Sequence, residues 1–199
     1  MNKYFFNNSK EAHHFPLLGG LRGASHFHLS GGLRGALRGA SHFPKKSRPP
    51  LAVGSHYQGG IIAYMDGNGH GLIAAPSDHS DAIHWHSLND IATGAQRSDY
   101  GTGKSNTMII VAMQGAGSYA AQLCFDLALN DYRDWFLPSK DELNMLYQNS
   151  DLIGGFSTGH YWSSTDYGVS LAWSQDFSTG THIYSNKNLT CRVRPVRYF

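Results

Sequence analysis

Twelve histidines in 199 residues raise metal chemistry first. His84 and His86 alternate, so an extended backbone turns both to one side, with His79 or Asp81 nearby. A metal needs a fuller ligand set, and neither HExxH nor an equivalent is present, so no metal is expected. Ser, His and Asp are plentiful, but no G-x-S-x-G elbow occurs, and Asp141 and Glu142 are explained by capping a helix and its dipole. GTGKSN around Lys104 has the end of a phosphate loop, yet the position that must be glycine is Ser98, so a surface turn is expected. Cys124 and Cys191 form no CxxC and specify neither a zinc site nor a disulfide framework; Cys124 falls in an apolar helical pattern and reads as core. Arg192, Arg194 and Arg197 read as one strand face able to take an acidic ligand such as a sulfated glycan, although internal pairing with carboxylates and carbonyls explains them better. The chain is therefore expected to be no enzyme, with no catalytic residues and no cofactor.

The elements that would position these groups begin at Val53. Gly60 to Met65 and Gly71 to Ala75 are apolar runs joined by Asp66-Gly67-Asn68-Gly69, which supplies the positive-φ residues of a hairpin turn. Ile83 to Gly103 reads as a long polar loop that lies over the core through Trp85. Ala120, Leu123, Cys124, Leu127 and Ala128 have helical spacing ended by Asn130 and Asp131, with a shorter helical turn over Asn106 to Met113. Ser139 and Glu142 form an S-x-x-E capping box ahead of Leu143, Leu146 and Tyr147, which marks a second helix. Strands follow at Tyr161 to Ser164, Ala172 to Phe177, His182 to Asn186 and Arg192 to Arg197, with Ser178-Thr179-Gly180 as a turn. A first strand that can pair with the last, then helices, then a β-rich end is an α+β layout: two helices packed on a small antiparallel sheet.

Residues 1–50 contrast with this. They hold a near-duplicate, Gly19 to Phe27 and Gly31 to Phe43, then KKSRPP, too short and Gly-rich to bury a face, and are expected to be a disordered low-complexity tail ahead of a ligand-binding domain at residues 51–199. The tail carries eight basic residues against one acidic, and the remainder eight against thirteen, so the domain is mildly acidic and nucleic acid is not expected as a partner. No run of eighteen apolar residues exists, so no membrane span is expected, and MNKYFFNNSKEAHHF lacks the apolar region of an export signal.

Four segments carry a resemblance: DGNGHGLIAAPSD at Asp66 to Asp78, WFLPSKDELNMLY at Trp135 to Tyr147, YWSST at Tyr161 to Thr165 and CRVRPVR at Cys191 to Arg197. Together, over about residues 53–199, they resemble the Lcl C-terminal domain family of bacterial proteins. The resemblance implies a C-type-lectin-like fold and a cell-surface or extracellular setting. It does not bring lectin calcium chemistry, since the Glu-Pro-Asn or Gln-Pro-Asp loop and the Trp-Asn-Asp strand are missing. The formylglycine-generating enzyme, which shares that fold and uses a cysteine pair, makes Cys124 with Cys191 an alternative oxidase reading. A structural adhesin-tip or assembly domain is another.

Trp162 to Arg197 also looks like the variable region of proteins diversified by retroelements that randomise template adenines. A frame of Ala172, Trp173, Gln175, Phe177, Gly180, Lys187, Thr190 and Arg192 alternates with positions whose residues are all encodable by codons ending in C, none being Lys, Glu, Gln, Met or Trp. Trp162, Trp173 and Phe177 are expected to be buried while their neighbours face outward. The displayed set is expected to be Tyr167, Val169, Leu171, Ser174, Asp176, His182, Tyr184, Asn186 and Asn188, contacting a protein or glycan with amphipathic side chains as antibody loops do.

Overall fold

The computed structural model describes residues 50–87 and 90–199, so the expectations for the basic tail lie outside the described residues, Pro50 apart. Two sheets and four helices form among the described residues. β1 (His56–Tyr57), β2 (Gly60–Met65), β3 (Gly71–Ala74) and, from the chain end, β9 (Val196–Tyr198) form one antiparallel sheet in that order. β4 (Ser80–His84), β5 (His160–Asp166), β6 (Leu171–Asp176), β7 (His182–Asn186) and β8 (Thr190–Val193) form the other, in the order β4-β8-β5-β6-β7. All pairings are antiparallel except β5 with β8, which meet in parallel at Tyr161 and Arg192. The helices are α1 (Gly103–Gln114), α2 (Ala120–Phe125), α3 (Lys140–Gln148) and α4 (Ser150–Ile153). The architecture is mixed α+β as expected, but with two sheets instead of one and four helices instead of two.

Strand alternation divides the core. On β3, Leu72 and Ala74 face a cluster with Phe136, Leu143, Leu146, Tyr161 and Val196, whereas Ile73 and the following Ala75 face Trp135 on the other side. The sheet is thus covered on both faces, and its strands read as continuous apolar runs. A third cluster joins α1 and α2 to the larger sheet through Trp85, Ile110, Tyr119, Cys124, Leu137, Trp162 and Val193. Its two tryptophans are crossed anchors: Trp85 Nε1 donates to the Ser163 carbonyl and Trp162 Nε1 to the Ile83 carbonyl, each at 2.8 Å. Both rings are fully buried, removing on the order of 200 Å² each from water.

The capping box is present as read: Ser139 Oγ accepts from Glu142 N, and Ser139 N donates to Glu142 Oε2 at 2.8 Å. The other helices correct the sequence reading. α1 is the longest helix, not a short turn, and GTGKSN opens it instead of forming a surface turn. Its core-facing stripe is Gly103, Asn106, Thr107 and Ile110, largely polar, while Met108, Ile109 and Met113 face outward, so hydrophobic periodicity pointed the wrong way. Asn106 donates to the Arg97 carbonyl at 2.6 Å while its buried Oδ1 has no partner among the described residues, and Thr107 accepts from Leu137 N at 3.0 Å. Gly103 admits close approach: a Cβ there would lie 2.2 Å from Glu142 Oε2. α2 stops at Phe125, and Asn130 and Asp131, both at positive φ (51° and 69°), form a separate two-residue turn between Leu129 and Tyr132, which exchange backbone bonds at 3.0 Å.

Candidate functional site

β6 and β7 pair with Leu171 opposite Asn186, Trp173 opposite Tyr184 and Gln175 opposite His182, so these six side chains share one face. The opposite face is closed. Ala172 enters the core, and Ser174 and Ser185, both buried, bond to each other at 2.7 Å. The expected display of Ser174 is therefore corrected: alternation turns it inward. Cys191, encodable in the same way, is likewise buried. Asp176 is half-buried and occupied in the hairpin turn, accepting from Ser178 N at 2.8 Å and Thr179 Oγ1 at 3.1 Å.

The open face is aromatic. Tyr167 and Tyr184 stack at 4.3 Å between centroids, Trp173 lies 4.3 Å from Tyr184 and 5.8 Å from Tyr167, and the Lys140 ammonium sits 4.1 Å over Trp173. Tyr167 and Tyr184 are each 50% exposed, and Val169 and Leu189 at the same end are 56% and 55% exposed. Asn186 and Asn188 are exposed, and Leu171 and His182 half-buried. Trp173, expected in the core, is half-buried within this platform, while Trp162 is fully buried and Phe177 partly so. Trp173 alternates with Ala172 and Ser174, so once those two are inside, it must face outward. A cleft of about 440 Å³ beside the platform is lined by Gln96, Asp166, Tyr167, Gly168 and Trp173.

The platform rests on a buried ion pair. Lys187, at the end of β7 and fully buried, bonds Asp166 at 2.8 Å and donates to the carbonyls of Ile91 at 2.8 Å and Gly168 at 2.7 Å, with its ammonium 4.4 Å from the Trp85 ring. Asp166 also accepts from Thr93 N and Oγ1 at 2.6 and 2.7 Å. Three loops are thereby fixed around two side chains. Burial pushes the Lys187 ammonium below the ordinary lysine range, against the pull of Asp166. His182 is also lowered, by burial and then by the Lys140 charge, which together outweigh Asp141 and the Lys140 backbone; its Nε2 is buried and has no partner among the described residues.

The other candidates are placed as follows. His84 is exposed on β4, whereas His86 is buried and bonds Asn188 Oδ1 at 2.8 Å, and no group of three or more metal-ligating side chains occurs among the described residues. Cys124 and Cys191 are both free and buried; burial raises the Cys124 thiol well above its usual range and pushes Cys191 up to about 12. The arginines do not share one strand face: Pro195 separates β8 from β9, which belong to different sheets. Arg192 bonds Asp81, and Arg194 bonds Asp78 at 2.7 Å and the Ala75 carbonyl at 3.0 Å. Arg197 grips Asp134 with two nitrogens, at 2.7 and 3.1 Å. All three serve the fold through carboxylates and carbonyls.

These features define an α+β domain with an exposed aromatic face on paired hairpin strands and no helix, among the described residues, long and apolar enough to cross a membrane. The sequence profile of the Lcl C-terminal domain matches residues 76–197, more than half of the chain, and the chain belongs to that family. The β2–β3 hairpin, whose DGNG turn carried part of the resemblance, lies before the matched segment. A fimbrial protein from Bacteroides ovatus ATCC 8483 is similar in structure, with a TM-score of 0.45 and 14% identity; the match covers 63% of this chain and 35% of that one. No curated protein matches.

Proposed function

We propose that the chain is a non-enzymatic binding protein of C-type-lectin-like fold, and that the β6–β7 face with the adjoining 167–170 and 186–190 turns recognises a protein or glycan. The observation that carries this is the group of exposed Tyr167 and Tyr184 with half-buried Trp173, on a hairpin whose adjoining loops are locked by Lys187 and Asp166. Flat aromatic rings offer large contact area at low entropy cost, and a locked base spares the ordering penalty of binding. Membership of the Lcl family fits a surface, adhesin-like role. Retroelement diversification is part of the proposal for the outward positions Val169, Leu171, Tyr184, Asn186 and Asn188; a template repeat and reverse-transcriptase gene in the flanking DNA is its test. The oxidase alternative is disfavoured by thiols held in the protonated, poorly nucleophilic form.

The full chain applied to a glycan array and to intact cells provides the binding test. Tyr184→Ala and His182→Ala are expected to weaken binding about 10-fold or more, as for contacts central to an interface. Melting temperature is expected to move by less than about 3 °C, because Tyr184 is half exposed. Binding that survives both changes, or binding and fold lost in equal measure, overturns the proposal.

A further inference from the structure

We propose a second binding site, away from the aromatic platform, that takes a small organic anion with an apolar body, an aryl or alkyl carboxylate. The site is a cleft of about 390 Å³ between the first turns of α1, the end of α2 and the 133–136 segment. Its size is that of small-molecule pockets. Lys104 and Met108, one helical turn apart on α1, form one side. Phe125 and Leu127 form the next, with Arg133 and Trp135 closing the cleft.

Charge and unmet bonding capacity select the ligand. Two carboxylates also line the cleft, but Asp134 is engaged by Arg197 at 2.7 and 3.1 Å and Asp126 by Gln122 Nε2 at 2.7 Å. The side chains of Lys104 and Arg133 are exposed and make no hydrogen bond or ion pair among the described residues. Lys104 lies near enough to Asp134 to help hold that carboxyl low and Asp126 keeps its charge, so what the cleft offers an anion is the unspent N–H donors of Lys104 and Arg133. Trp135 is almost wholly buried, yet its indole N–H has no acceptor among the described residues. An unsatisfied buried donor is uncommon and is relieved by a ligand oxygen within reach. Met108 and Phe125 are 55% and 46% exposed, so the cleft mouth presents apolar surface that a charged ligand alone would leave wet. A carboxylate with an apolar body meets both demands: the head between Lys104 and Arg133, the body against Met108, Phe125 and Leu127.

The probes are 4-phenylbutyrate and its uncharged amide, titrated into the full isotopically labelled chain, whose four tryptophans give four separate indole N–H signals. Phenylbutyrate is expected to shift the Trp135 indole and leave Trp173 in place, with the amide about 10-fold weaker or worse. Lys104→Ala and Arg133→Gln, both at exposed positions, are each expected to reduce phenylbutyrate affinity about 10-fold without changing the melting temperature. No Trp135 response up to about 10 mM, equal binding of the amide, or a response confined to Trp173 overturns the proposal. The Trp135 readout and the Lys104 and Arg133 variants lie outside the β6–β7 recognition face, so failure here is distinguishable from failure of that face.

Discussion

Lys187 shows how a single side chain can determine whether a surface is usable. Its ammonium reaches Asp166 and the carbonyls of Ile91 and Gly168, so one buried charge holds the segments before Gln96 and after Asp166 beside β7. Removing one partner of such a pair leaves the other buried and uncompensated. Lys187→Met is therefore expected to destabilise the fold by about 3–5 kcal/mol, read by urea denaturation, and the double change Lys187→Met, Asp166→Asn to recover part of that loss. A Lys187→Met protein as stable as the parent would show that the pair does not anchor the platform. Lysine at this position belonged to the fixed frame read from the sequence. Its partner Asp166, 21 positions earlier, carried no mark in the sequence, because the pairing arises only when the β5–β6 turn folds back beside the end of β7.

At the scale of elements, α1 and α3 contrast. α3 announces itself through Ser139 and Glu142, and Glu142 does more than close the box: its carboxylate also accepts from Gly101 N at 2.9 Å and from the Tyr198 hydroxyl, tying the α1 approach and β9 to the α3 N-terminus. Ser139→Ala removes one half of the box and is expected to cost about 1 kcal/mol, measured by chemical denaturation. A change much larger than this would assign the hydroxyl a wider role, consistent with its second bond to the Asp99 carbonyl at 3.0 Å. α1 offers no such signature. Its inward stripe bonds to backbone groups, Asn106 to the Arg97 carbonyl and Thr107 to Gly103 and Leu137, a form of burial that apolar periodicity does not reveal. The strands of the β6–β7 hairpin were legible from their local pattern but the buried face of β6 was not, and Gly180 adds a further tertiary demand: at φ 80°, a Cβ there would meet the Tyr147 ring at 2.5 Å.

The whole molecule responds to pH through groups whose protonation differs between folded and unfolded chains. His79 and His182 both have folded values below the usual 6.5, chiefly from burial. A histidine with a depressed folded value binds protons more readily when unfolded, so its stabilising contribution is complete above 6.5 and is lost as pH falls through the lowered value. Stability measured by denaturation is expected to decline from pH 7.5 towards pH 5 (about one ordinary histidine range), and His182→Ala to flatten part of that slope. A slope unchanged by His182→Ala would show that other groups govern this window.

The sequence by itself determined the α+β class, the capped α3 helix, the β2–β3 hairpin, the existence of the β6 and β7 strands and the family, because these depend on local periodicity, capping chemistry and ordered motifs. It also identified the carboxyl-terminal arginines as structural more than ligand-seeking, since an arginine fork on a core edge has carboxylates and carbonyls to satisfy. Only the tertiary structure decided that Trp173 joins Tyr167 and Tyr184 at the surface while Ser174 turns inward, that α1 packs through its polar stripe, and that Lys104 and Arg133 meet around one cleft. The physical reason is common to all three: which face of an element is buried depends on what packs against it, and those partners lie tens of residues away along the chain.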